Sequence, residues 1–171
     1  MLLSEICDRH DISIDSGLVA QSYIGGNFHA DRILAPDGEP YLYRWHLVPR
    51  NRLANVYFHI QVRSDPERPL HDHPWDNTST ILVGGYVEQY QYGSMLGTET
   101  YTRNVGPGRI IRRNAEVAHR LILPKWVPYT MTLFTTGPHR REWGFWYPEG
   151  WVSNREVCQE EGNISIHVKR P

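Results

Sequence analysis

The stretch His71-Asp72-His73-Pro74-Trp75 sets two imidazoles two residues apart. On an extended strand, residues i and i+2 point to one face. His71 and His73 therefore project together, and a single metal ion can be reached by both. Neutral imidazole is the common ligand for iron, nickel, copper and zinc. Two histidines do not make a site, so a further ligand has to come from a distant strand. The 171 residues hold nine histidines, six tryptophans and ten tyrosines. Excess histidine suggests metal or acid–base chemistry, and excess Trp and Tyr suggests a β-rich fold or a pocket with aromatic walls.

A second group of candidates lies on an alternating segment, 55–63. Val56, Phe58, Ile60 and Val62 form an apolar face, and Tyr57, His59, Gln61 and Arg63 form a polar one. If the polar face lines a barrel interior, His59, Gln61 and Arg63 are pocket residues. If it faces solvent, they are surface. Arg44 and His46 share that ambiguity. An arginine inside a metal pocket suits a substrate carboxylate or phosphate, because guanidinium binds such groups bidentately. Arg44, Arg63 and Arg120 are the candidates. Trp75 either walls the pocket or packs in the core. Trp143 and Trp146 either close a barrel mouth or cover its outer face, and the charges of Arg140-Arg141-Glu142 are read as surface.

The elements that position these residues read as strands. Turn signals recur at Pro36-Asp37-Gly38, Pro49-Arg50-Asn51, Ser64-Asp65-Pro66, Gly84-Gly85, Gly106-Pro107-Gly108, Gly137-Pro138 and Pro148-Glu149-Gly150, and the 93–97 stretch is glycine-flanked. Between them, segments 41–48, 55–63, 78–83, 86–92, 109–112, 118–123 and 129–135 are rich in β-branched and aromatic residues. Many short strands at this spacing predict an all-β sandwich or barrel. No segment carries a sustained helical apolar period, so a βαβ architecture is not expected. Residues 2–9 are read as one short helix, and almost everything after residue 30 as strand and turn. The length is that of one domain spanning 1–171, with a barrel core over about residues 40 to 148.

Net charge is −1 and the basic residues are scattered, which gives no pointer to nucleic acid or an anionic membrane. The densest cluster, Arg109 to Arg113, is too short for a binding arm. Cys7 and Cys158 stand in no motif and are read as two free thiols of a reducing cytosol. No signal peptide or membrane span is visible. The expected location is cytoplasmic.

In this frame the chain resembles the cupin superfamily. That family has a first motif of His-x-His followed by Glu and Gly, and a second of Gly, Pro-x-Gly and a final His. His71 and His73 fill the first pair. Gly84 and Gly85 both fall where the closing Gly is expected. Gly108 opens the second motif, and His119 falls on its last histidine. The match covers about residues 60 to 125. The runs YRWHLVPRN, VRSD before LHDHPWDN, GGYVEQY and TTGPHRREWGFW further resemble small cupin-like proteins of bacteria and their phages. Departures are equally specific. Asn77 or Thr78 stands in the Glu slot, Asn114 and Glu116 in the Pro and Gly slots, Leu123 in the terminal Asn slot and Asp65 at the opening Gly.

The resemblance implies a single-domain jelly-roll β-barrel with a short N-terminal helix or extension, holding one divalent transition metal on His71, His73 and His119. The missing Glu leaves two possibilities: three histidines with open positions, as in cupins resembling thiol dioxygenases, or a substitute acid, Asp76 or Glu88. Alternation from an inward Thr78 carries Tyr86 and Glu88 inward too, provided the double glycine makes no bulge. Glu88, Tyr86 and His59 are the candidate catalytic groups. Arg63, Arg44, Gln61 and Trp75 are the candidate substrate-binding groups, with Arg120 disfavoured because it neighbours His119. The leading expectation is a small-molecule dioxygenase with Fe(II), Zn(II) and Ni(II) being the other metals, acting on a substrate that carries a carboxylate. A metal-free or Zn/Ni-dependent isomerase or epimerase of sugars or keto acids, and a non-enzymatic binding module, are the alternatives. By family analogy, a homodimer is expected to use segment 11–35 as an edge strand.

Overall fold

The computed structural model describes residues 1–26, 28–92 and 99–160, and only the backbone of 14, 18 and 158–160. Two short helices come first, α1 (Leu3–Arg9) and α2 (Ile14–Ile24). Strands follow: β1 (Asp31–Leu34), β2 (Pro40–His46), β3 (Asn55–Gln61), β4 (Leu70–His71), β5 (Asn77–Val83), β6 (Tyr86–Tyr92), β7 (Tyr101–Val105), β8 (Ile110–Arg113), β9 (Val117–Ile122), β10 (Thr130–Thr136), β11 (Gly144–Tyr147) and β12 (Gly150–Ser153). A helix α3 (Asn154–Glu160) ends the described chain. One sheet runs β1-β2-β3-β10-β5-β8 and the other β12-β11-β4-β9-β6-β7. All described pairings are antiparallel. The sheets form a jelly-roll barrel, as the strand and turn pattern predicts.

The N-terminal segment decides which face of the first sheet looks inward. Leu3, Ile6, Ile12, Ala20 and Ile24 bury themselves against Tyr43, Trp45, Phe58, Ile60 and Met131. The apolar face of β2 and β3 is thus outside the barrel, under the helices. Burying these side chains against one another stabilises by roughly 1.5–3 kcal/mol for each large one. Strand alternation then turns the polar face, with Arg44, His59 and Gln61, into the barrel.

Within 11–35 the last residues do form an edge strand, β1 at the end of the first sheet, while 14–24 form the helix α2. Ser13 caps it, its hydroxyl accepting the Ser16 N–H, and Gly25 ends it in a left-handed conformation at φ 70°. Mid-helix Gly17 and a weak apolar stripe hide it in the sequence. The C-terminal α3 likewise falls in a stretch read as strand and turn. Cys7 is a free thiol, and the Cys158 side chain lies outside the described residues.

Gly84 and Gly85 carry the chain from one sheet to the other. Their φ values are 74° and 150°, and a Cβ on either would collide with a backbone oxygen, of Tyr129 or of Val105. Only glycine fits both demands. Thr130 seals the crossing, its Oγ1 accepting the Gly85 N–H at 3.0 Å and donating to the Gly85 carbonyl at 2.8 Å.

Candidate metal centre

Two strands of the second sheet bring the histidines together. His71 on β4 pairs across to His119 on β9, and His73 follows two residues after His71 on the same face. The ligand nitrogens of all three lie within 4.8 Å of one another, and the Nε2 atoms of His73 and His119 are 2.8 Å apart. Metal–nitrogen bonds of about 2.1 Å place neighbouring ligand nitrogens about 3 Å apart, so the cluster needs only small side-chain shifts to close on an ion. Trp75 stacks on His73 with ring centroids 4.9 Å apart. Phe145 and Trp143 flank His71.

Asp72, between the two histidines, points the other way and is fully buried. Its Oδ1 accepts the Gly144 N–H at 2.8 Å. Its Oδ2 accepts Arg141 Nη1 at 2.8 Å, Trp151 Nε1 at 3.0 Å and Trp146 Nε1 at 3.2 Å. The β11–β12 hairpin is therefore bolted to the back of the His-x-His segment, which fixes the direction of both imidazoles. Arg141, expected at the surface, is drawn in by this carboxylate, and Trp146 covers the outer side of the segment.

Glu88 lies behind His119. Its Oε1 accepts His119 Nδ1–H at 2.9 Å and Arg113 Nε at 2.6 Å, and its Oε2 accepts Arg103 Nε at 2.7 Å. Arg113, itself buried, also donates to Asn77 Oδ1, Ser79 Oγ and Tyr86 OH. With Nδ1 protonated toward Glu88, the Nε2 lone pair of His119 faces the cavity. This is the carboxylate–histidine arrangement that orients a metal ligand. Burial pushes the Glu88 carboxyl up, but the His119 hydrogen bond and the Arg113 charge overcome it and hold the pKa well below the usual range.

The inner wall of the first sheet faces this cluster across a cavity of about 100 Å³. Arg44, His59, Gln61, Thr132 and Phe134 line it, with Tyr41, Leu42, Asp65, Ser79, Tyr86 and Leu121 around the sides. Arg44 Nε donates to His59 Nε2 at 2.9 Å, and its guanidinium lies 4.9 Å from the Tyr57 ring centroid. His59, accepting that bond, is neutral, and burial holds its pKa well below the ordinary value.

Of the residues singled out from sequence, His71, His73, His119, His59, Arg44, Gln61, Trp75 and Tyr86 line one cavity. Three do not fit their expected places. Arg63 follows the end of β3, where the alternation stops, and its side chain pairs with Asp37 at the surface at 2.7 Å. Asp76 accepts the Ala115 N–H and pairs with Arg140, away from the histidines. Glu88 points inward as alternation expects, but its oxygens are taken by His119, Arg103 and Arg113, so it supports a ligand and is not placed as the substitute acid. Sequence reasoning passed over Arg113, Asp72 and Asp65. A charged residue at an inward strand position was the available signal for Arg113.

Burial depresses the imidazoles: His71 to about 3, with His119 adding to the effect, and His119 to about 4, with Arg113 adding and Glu88 opposing. His73 is also held well below the ordinary value, by burial first. A group neutral in the fold but protonated when unfolded gives stability that is present above its unfolded pKa, about 6.5, and lost as pH falls toward its folded one. Burial raises Asp65 to about 6. Its contribution has the opposite sign, present below the unfolded carboxylate range and lost as pH rises through 6. Four histidines outweigh one carboxylate. The metal-free protein is expected to lose thermal stability between pH 7 and pH 5 in a calorimetric scan, and Asp65→Asn to steepen that fall. A flat profile would mean that the imidazoles are hydrated.

Among the described residues, no helix is long and apolar enough to cross a membrane. No family model matches the sequence, and no curated protein matches it. Solved structures do match in fold. The DMSP lyase DddQ from Ruegeria pomeroyi is similar over 80% of this chain and 68% of that one, with 17% identity and a TM-score of 0.52. A proposed mannose-6-phosphate isomerase from Ralstonia eutropha is similar over 59% of this chain and 88% of its own, with 20% identity and a TM-score of 0.49. A cupin superfamily protein from Desulfitobacterium hafniense is similar over 57% and 77%, with 10% identity and a TM-score of 0.41. At these identities the likeness concerns the fold alone.

Proposed function

Starting from a cupin-like fold in which three histidines can hold a divalent metal, we propose that this chain is an Fe(II)-dependent oxygenase acting on a small carboxylate. The observation that carries the reading is the neutrality of the ligand set. Glu88 is turned behind His119, so three uncharged imidazoles face the cavity. An ion held there keeps its full charge and several coordination positions for anionic, oxygen-bearing ligands. Iron would supply redox chemistry with O2 at those positions.

The chain's own residues bind and exclude. Arg44 offers its terminal nitrogens to a carboxylate, and Trp75 and Phe134 keep water from the metal side. The rival chemistry, enolisation by Zn or Ni, needs a base. The three groups offered for it are all engaged: Glu88 by two arginines, Tyr86 by Arg113, and His59 by Arg44. That weighs against the isomerase reading.

Elemental analysis of protein purified without a His tag or chelator tests the proposal. About one equivalent of iron, together with O2 uptake in the presence of some small carboxylate, is expected. Zinc or nickel at that level would replace it by Lewis-acid chemistry, and no metal after anaerobic reconstitution would discard the metalloenzyme.

A further inference from the structure

Two charges line the cavity without an ion-pair partner among the described residues, and they have opposite signs. Among the described residues Arg44 uses only its Nε, on His59, and its two terminal nitrogens have no hydrogen-bond partner there. Asp65 accepts Leu121 N–H at 2.8 Å on Oδ2 and Gln61 Nε2 at 3.1 Å on Oδ1, and no salt bridge from the described residues reaches it. Each of its oxygens retains acceptor capacity. A carboxylate confined by burial and left without a cation is costly unless something neutralises it.

The strand registers give the layout. Arg44, His59 and Thr132 stand on one inward rung, and Leu42, Gln61 and Thr130 on the next. Gln61 carries Asp65, so the acidic end lies one rung from Arg44, about 7 Å along the strands. On the facing sheet, His119 and Leu121 are separated by the same step, and Leu121 N–H holds Asp65. The histidine cluster, the guanidinium and the carboxylate thus occupy three sides of one small space. A plain carboxylate seated on Arg44 would bring a second negative charge toward Asp65, and like charges repel strongly where water is excluded. A ligand with a positive end removes that repulsion and compensates both wall charges. A volume of about 100 Å³ is small for a ligand site, which favours a ligand of a few carbons.

We propose that the cavity takes a small amino-carboxylate, its carboxylate on Arg44 and its ammonium on Asp65. This rests on the cavity being the substrate site, as under the proposed function, but on no particular metal. Asp65 also lines a larger outer groove of about 490 Å³ between the 62–67 and 123–128 segments, and it is the one residue shared by the two spaces. The ammonium subsite therefore lies where groove and cavity meet.

The test is calorimetric binding of glycine, β-alanine and 4-aminobutyrate against acetate, propionate and 3-hydroxypropionate, at neutral pH and low salt. Metal-free and zinc-loaded protein are run in parallel. At least one amino-carboxylate is expected to bind ten-fold or more tighter than its uncharged-tail counterpart. Asp65→Asn, which keeps an acceptor for Leu121 N–H, is expected to erase that preference and leave propionate binding in place. Arg44→Met is expected to weaken the whole series. Equal binding of β-alanine, propionate and 3-hydroxypropionate overturns the proposal, as does a preference that survives Asp65→Asn or no binding of any probe. If Asp65→Asn does not fold, the series on the unaltered protein decides. A preference seen in metal-free protein that never takes up metal would overturn the metalloenzyme reading and leave the subsite standing.

Discussion

His119→Ala is expected to purify with less than about a tenth of an equivalent of metal where the unaltered protein holds one, and to keep its fold. Two neutral imidazoles with no carboxylate make a weak site for any first-row ion, because selectivity and affinity both depend on ligand number and geometry. His119 is the ligand whose lone pair is fixed from behind, by Glu88 on its Nδ1, so its loss removes the best-oriented donor of the three. The fold is spared for a specific reason. Glu88 still accepts from Arg103 and Arg113 after the imidazole is gone, so no buried charge is orphaned. Taking away a neutral, desolvated ring also removes a group that acid destabilises. Metal content after dialysis against excess Fe(II) or Zn(II), with a circular-dichroism melt on the same samples, checks both halves. Unchanged metal content would take His119 out of the site.

His71 and His73 are legible from a spacing of two, because strand geometry leaves no choice of face. His119 is legible only through its distance from Gly108 in a family pattern, and the structure seats it opposite His71. The inward side of β3 is a different matter. Its alternation marks two faces but does not say which is inside. The answer comes from α1 and α2, which cover the apolar face. The stripe of α2 is interrupted by Gly17 and serines, so the covering element is itself hard to see in sequence. Asp72 was hidden by the motif that contains it. Alternation sends it away from the metal, but its partners Gly144, Trp146 and Trp151 lie some seventy residues on, and no local pattern joins them. Arg113 read as the end of a short basic cluster, Arg109 to Arg113. Its burial follows from the pairing of β5 with β8, which sets it across from Asn77 on the barrel's inner side.

The network behind His119 yields the second large effect. Glu88→Gln is expected to weaken metal binding by about ten- to a hundred-fold, the usual cost of losing a carboxylate behind a ligating histidine. It is also expected to lower stability by roughly 3–5 kcal/mol, because Arg113 would stay buried without its counter-charge. The two losses have different origins and can be separated. Arg113→Met in the same chain removes the stranded cation, and replacing a buried ion pair by apolar groups of similar size is often neutral for stability. The double variant is therefore expected to regain most of the thermal midpoint but none of the metal affinity, since the neutral amide at position 88 can donate as well as accept and no longer fixes His119 Nδ1–H as a carboxylate does. Nitrogen-15 NMR of the imidazoles gives an independent readout: a single Nδ1-protonated tautomer of His119 in the unaltered protein, and a mixture in both variants. Suppose instead that Glu88 were itself a ligand. Metal would then vanish in Glu88→Gln while the His119 tautomer stayed as it is in the unaltered protein. Recovery of metal affinity together with stability in the double variant would show that Glu88 acts through the fold alone, and the carboxylate would lose its role in tuning the centre.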